Sequence, residues 1–83
     1  MRVLYFAWVR QRTGLGEEDI DLPAGVDTVS DLIEWLKGRD EGYFAAFADT
    51  RVIRAAVDQQ HVALDHPLKG AREVAFFPPV TGG

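Results

Sequence analysis

Cysteine is absent from all 83 residues of this chain. Its absence excludes disulfides, thiolate zinc sites and a cysteine nucleophile, and it fits a reducing, cytoplasmic setting. Clustered positive charge is missing too: the 9 Lys and Arg residues are scattered, and the net charge is −4. Nucleic-acid surfaces draw much of their affinity from grouped Lys and Arg, so no nucleic-acid partner is expected. No apolar run is long enough to cross a bilayer, and no basic segment followed by an apolar one suggests a secretory leader. A membrane partner is therefore not expected either. The acidic residues Asp19, Asp21, Asp27, Asp31, Asp40 and Asp49 lack the close pairing of a metal or glycosidase site and read as a solvated surface, so no metal ligands are expected.

What is present suits one small folded domain. Hydrophobic residues make up 47% of the chain and charged ones 27%, which argues against disorder. Arg2 to Arg10 alternates as a strand, with Val3, Tyr5, Ala7 and Val9 on one face and Leu4, Phe6 and Trp8 on the other. Gln11 to Leu15 supplies a turn, and Glu18 to Leu22 a second strand with Ile20 and Leu22 facing inward. Thr28 and Asp31 form a variant capping box ahead of a helix that buries Val29, Leu32, Ile33 and Leu36 and stops at Gly38. Glu41 to Ala48 reads as a short second helix with Tyr43, Phe44 and Phe47 as packing residues. Ile53 to Asp58 reads as a third strand, Gln59 to Leu64 as a turn and a short fourth strand, and Glu73 to Phe77 as the last strand. A hairpin followed by a crossover helix predicts an α+β fold with a mixed sheet, the last strand beside the first.

Alternation also predicts which side chains are left over. Phe6 and Trp8 share the outward face of the first strand with Arg10, and Phe77 faces outward from the last. If those strands are neighbours, Phe6, Trp8 and Phe77 make an exposed apolar patch, the usual mark of an interaction site. The competing expectation is that the segment Glu41 to Ala48 covers this face.

The patch lies at the root of an unusual ending, Pro78-Pro79-Val80-Thr81-Gly82-Gly83. Two prolines stiffen the exit from the last strand, and glycine lets a backbone approach another surface closely. Six residues beyond Phe77 reach about 20 Å. The chain therefore divides into a domain at 1–77 and an extended tail at 78–83, suited to carrying a carboxylate into a partner's pocket.

The signature from Glu73 to Gly83, the opening Val3-Leu4-Tyr5-Phe6-Ala7 with Val9-Arg10, and Asp65-His66-Pro67-Leu68 together resemble the small, sulfur-carrier subunits of molybdopterin synthase. The resemblance implies a ubiquitin-like β-grasp with one main crossover helix. It implies that the carboxylate of Gly83 is adenylated with ATP by an activating enzyme and exchanged for sulfur from a donor protein. The thiocarboxylate would then enter the large, catalytic subunit and pass its sulfur to cyclic pyranopterin monophosphate. Gly82, Thr81, Val80, Pro79 and Pro78 would deliver the terminus, while Phe6, Trp8, Arg10, His61 and Phe77 would meet the partner. The carrier itself would hold no cofactor and perform no catalysis, and the family pattern suggests two small and two large subunits. Asp58 stands where asparagine is common in such proteins, and His61 where an apolar residue is. A sulfur carrier for thiamine or tRNA thiolation, a ubiquitin-like modifier joined to lysines, and an interaction module with an inert tail remain alternatives.

Overall fold

The computed structural model describes residues 1–79. Its sheet has five strands in the order β2-β1-β5-β3-β4, with β1 at Arg2–Tyr5, β2 at Glu17–Asp19, β3 at Arg54–Val57, β4 at Gln60–Val62 and β5 at Glu73–Phe77. β1 pairs antiparallel with β2 and parallel with β5, while β3 runs antiparallel to both β4 and β5. The sheet is mixed and the last strand lies beside the first, as the element order requires. With its helices on the sheet, the fold is the ubiquitin-like β-grasp.

The first strand is shorter than its alternation suggests. β1 ends at Tyr5, and Ala7–Thr13 form a helix, α1. Apolar alternation over a few residues does not separate strand from helix, and Val9 reaches the core equally well from a helical turn. Arg10, Gln11 and Arg12 favour that turn, and Gly14, at a left-handed φ of 83°, closes it by donating its N–H to Arg10 O at 2.9 Å. Trp8 therefore does not extend the sheet beside Phe6. Its half-buried ring packs against the core, with the Arg12 guanidinium 4.5 Å from its centroid. The expected turn at Gln11 to Leu15 is helical as far as Thr13.

The main helix, α2, spans Val29–Lys37. Thr28 accepts the Asp31 N–H at 3.1 Å, and the Asp31 carboxylate accepts the Thr28 N–H at 3.1 Å, completing the capping box. Val29, Leu32, Ile33 and Leu36 are buried, and Gly38 ends the helix in a right-handed conformation. The next helix, α3, spans Glu41–Phe47 and packs on α1 and α2. A Cβ at Gly42 would collide with the carbonyl of Arg12, so the close approach of α1 and α3 depends on glycine there. Tyr43 and Phe47 are buried as expected, but Phe44 is 55% exposed.

The core centres on aromatic rings from both layers. Phe47 meets Phe76 edge-on with centroids 5.0 Å apart, and Tyr5 lies between 6.0 and 6.3 Å from Tyr43, Phe47 and Phe76. The phenols of Tyr5 and Tyr43 both donate to Glu18 Oε2, and Arg39 donates to Glu18 Oε1 at 2.7 Å. Partial burial acts against the Glu18 carboxylate's charge, but bonds from Arg39, Tyr43 and Tyr5 outweigh it and hold its pKa low. Burial and the adjacent carboxylate push the Tyr5 phenol well above its ordinary value and Tyr43 up to about 12.

A depressed carboxyl pKa contributes stability that is present above the unfolded value, about 4.3, and lost as pH falls through the folded one. The raised phenols act oppositely, contributing below pH about 10 and losing that contribution as pH rises. Glu18→Gln is expected to cost roughly 1–3 kcal/mol at neutral pH and to flatten the acid limb of stability. Urea denaturation across pH measures both. A variant as stable as wild type, with the same acid limb, would contradict the role given to Glu18.

Candidate partner-docking face

The strand period of two assigns Val3, Tyr5, Val74 and Phe76 to the helix side, where all four are buried. Leu4, Ala75 and Phe77 are left on the other side. Register places Leu4 beside Ala75, Ala75 beside Ala56, Ala56 beside His61, and Phe77 beside Arg54. The outward surface of β1, β5, β3 and β4 is therefore continuous, apolar at its centre and fringed with charge.

Phe6 extends this surface past the end of β1. Its N–H donates to Phe76 O at 3.0 Å, so the backbone still follows β5, while its ring is 49% exposed. Ala7 then turns through a left-handed φ of 54°, a costly conformation for alanine, and starts α1. That bend brings Arg10 back to the cleft it shares with Leu4, Phe6, Gly16 and Glu17. On the opposite flank, the His61 ring lies 5.0 Å from the Phe77 ring. Phe6, Arg10, His61 and Phe77 thus fringe one face. Trp8, expected among them, sits on α1 with its ring against the core.

The segment Glu41 to Ala48 does not cover this face. α3 lies against Tyr5 and Phe76, which point to the opposite side of the sheet. Pro78 and Pro79 follow β5 outside regular structure and are half-buried. Val80, Thr81, Gly82 and Gly83 lie outside the described residues.

Asp58 has a local role that sequence reading missed. Asp58 and Gln59 occupy the two-residue β3–β4 turn at φ 49° and 71°, as a type I′ hairpin requires. The Asp58 carboxylate accepts the N–H groups of Arg72 at 3.0 Å and Glu73 at 3.1 Å, tying the turn to the start of β5. An asparagine side-chain carbonyl is able to accept the same bonds, so this departure from the family pattern belongs to the turn. The signal available beforehand was Asp before a polar residue between two short apolar runs.

Among the described residues, no group of three His, Asp or Glu side chains is placed to hold a metal ion. None of the described helices is long and apolar enough to cross a membrane.

The profile of the ThiS family matches residues 3–83. The molybdopterin synthase sulfur carrier subunit of Escherichia coli is 40% identical over 83 residues, covering 100% of this chain and 99% of that protein. The protein of the same name in Haemophilus influenzae is 31% identical with the same coverage. Among solved structures, a Pyrococcus furiosus protein provisionally named molybdopterin converting factor, subunit 1, superposes with a TM-score of 0.66 at 32% identity over 95% of each chain. Haloferax volcanii small archaeal modifier protein 1 shares the fold, with a TM-score of 0.62 at 22% identity, covering 96% of this chain and 97% of that one. With a family profile matched from residue 3 to residue 83 and relatives aligned over their whole length, the chain belongs to the ThiS family, beside the molybdopterin synthase sulfur carrier subunits.

Proposed function

We propose that this chain carries sulfur in molybdopterin biosynthesis, with the terminal carboxylate of Gly83 as the carrying group. The observation that carries this reading is the 40% identity, over the full length, to a relative named for that role. The family profile running through residue 83 brings the Gly-Gly ending into the match.

The chemistry follows from what a carboxylate lacks. It is a poor electrophile, so an activating enzyme first joins it to AMP from ATP and releases pyrophosphate. Sulfur supplied by a donor protein then replaces AMP, leaving a thiocarboxylate, a sulfur nucleophile made without any cysteine. Inside the large subunit of molybdopterin synthase that sulfur passes to cyclic pyranopterin monophosphate, and two such transfers complete the dithiolene. The partners supply acids, bases and nucleotide binding, and this chain supplies position and reach.

Residues 78–83 act as the delivery tail. In this reading Pro78 and Pro79 stiffen the exit from β5, Val80 and Thr81 offer backbone groups for pairing with the partner, and Gly82 and Gly83 enter a narrow channel of the large subunit. Phe6, Arg10, His61 and Phe77 form the docking face at its root, so docking and delivery are one geometry. The cell compartment consistent with ATP-dependent activation and a cysteine-free chain is the cytoplasm.

Phe76 and Phe77 are expected to respond differently. Phe76→Ala should cost roughly 3–5 kcal/mol of stability by emptying the core. Phe77→Asp should barely change stability yet weaken titration into the large subunit at least tenfold. Equal binding by Phe77→Asp and wild type would remove Phe77 from the docking face. Deleting Gly83 should leave thermal stability unchanged and abolish molybdopterin formation in a reconstituted synthase assay. Full product formation by the shortened chain would refute the carrier reading, and a covalent adduct between Gly83 and lysines of other proteins would favour a modifier instead.

A further inference from the structure

We propose that the tail-root end of the docking face is a basic collar, and that the partner surface meeting it presents carboxylates around an apolar socket. This rests on the docking reading of that face and adds the charge of what docks there.

Charge is unevenly spread along the sheet. The chain as a whole carries −4. At the far end of the open face, acids and bases neutralise one another: Arg2 lies 3.4 Å from the Glu17 carboxylate and beside Glu73 in register. At the tail-root end the balance differs. Arg54 stands opposite Phe77, and among the described residues its guanidinium donates only to the backbone carbonyls of Arg51 and Ile53, each at 3.1 Å. The nearby Asp49 is taken by Arg51 at 2.9 Å. Arg10 has no ion pair and no side-chain hydrogen bond among the described residues. Glu17 lines the same cleft, but its carboxylate pairs with Arg2.

Arg10 is also held in place. Its guanidinium rests on Gly16, where an added Cβ would stand 3.1 Å from Cζ and 3.3 Å from Nε. A Cβ at position 16 would make the guanidinium give by a few tenths of an ångström, and a branched side chain there would compete with it for the cleft. The αL turn at Ala7 and the bare backbone at Gly16 together bring an uncommitted cation next to Phe6.

Two arginines without carboxylate partners among the described residues, beside half-exposed aromatic rings on an acidic molecule, define the complementary surface. Covering Phe6 and Phe77 removes water from the neighbouring guanidiniums, and arginine regains that loss by paired hydrogen bonds to carboxylates. Opposite charges across an interface also steer encounter and fix register. A second copy of this chain docking by the same face would set collar against collar, so the occupant that fits is a partner protein with acidic residues around its apolar socket.

The test is calorimetric titration of full-length chains into the large subunit of molybdopterin synthase, at low salt and near 1 M salt. Arg10→Glu with Arg54→Glu is expected to weaken binding at low salt by about tenfold or more. The gap to wild type should shrink near 1 M salt, where the screening length is about 3 Å. Gly16→Val, which keeps every charge but displaces Arg10, should also weaken binding. Both arginines are exposed, so unchanged melting is expected and checks that folding is intact. Wild-type affinity in the double reversal at low salt, alongside lost binding in Phe77→Asp, would overturn the collar and leave the docking face standing. Unchanged binding in Phe77→Asp as well would overturn both.

Discussion

The parallel pairing of β1 with β5 is the constraint on which the rest of the structure depends. It joins the two ends of the described chain at the middle of the sheet and fixes the facing of every residue on both strands. Because successive strand residues point to opposite sides, Phe76 must enter the core if Phe77 is to face out. Slipping β5 by one residue would bury Phe77 and Ala75 in place of Phe76 and Val74. The aromatic cluster of Tyr5, Phe47 and Phe76 opposes that slip, since it is assembled only in the observed register. Core packing on one side of the sheet therefore sets the presentation of the docking face on the other.

This division of labour suits a carrier. α2, α3 and the Glu18 network lie on the helix side of the sheet, so the open side is left to α1's Arg10 and a few residues around the end of β5. Pro78 and Pro79 follow β5 where the sheet ends.

Much of this was legible in the sequence because the signals were local or strictly periodic. The capping box of Thr28 and Asp31, the buried stripe of α2 and the inward facing of Val74 and Phe76 each follow from spacing alone. The mixed sheet and the last strand's place beside the first followed from chain connectivity. What failed was the end of β1. Residues Ala7 to Val9 continue a plausible strand alternation, and packing of α1 on α3, through the bare backbone of Gly42, together with the helix-favouring residues Arg10 to Arg12 and the Gly14 cap, makes the helix the better choice. Trp8 was lost from the docking face for that reason, while Arg10 remained beside it by a different route. The Glu18 network joins residues 13 to 25 positions apart, so no local pattern announced it. Sequence alone assigns Asp58 to the end of the third strand, which stops at Val57, and its turn position and its bonds to Arg72 and Glu73 become visible only once the strands are paired.

The central claim is that Gly83 carries sulfur, and intact-mass spectrometry tests it most directly. The full-length chain is incubated with ATP, a sulfur donor and a molybdopterin-pathway activating enzyme shown to be competent on another carrier. The account predicts a mass gain equal to replacing one oxygen by sulfur, located by fragmentation at Gly83 and dependent on ATP. An unchanged mass under those conditions would contradict it.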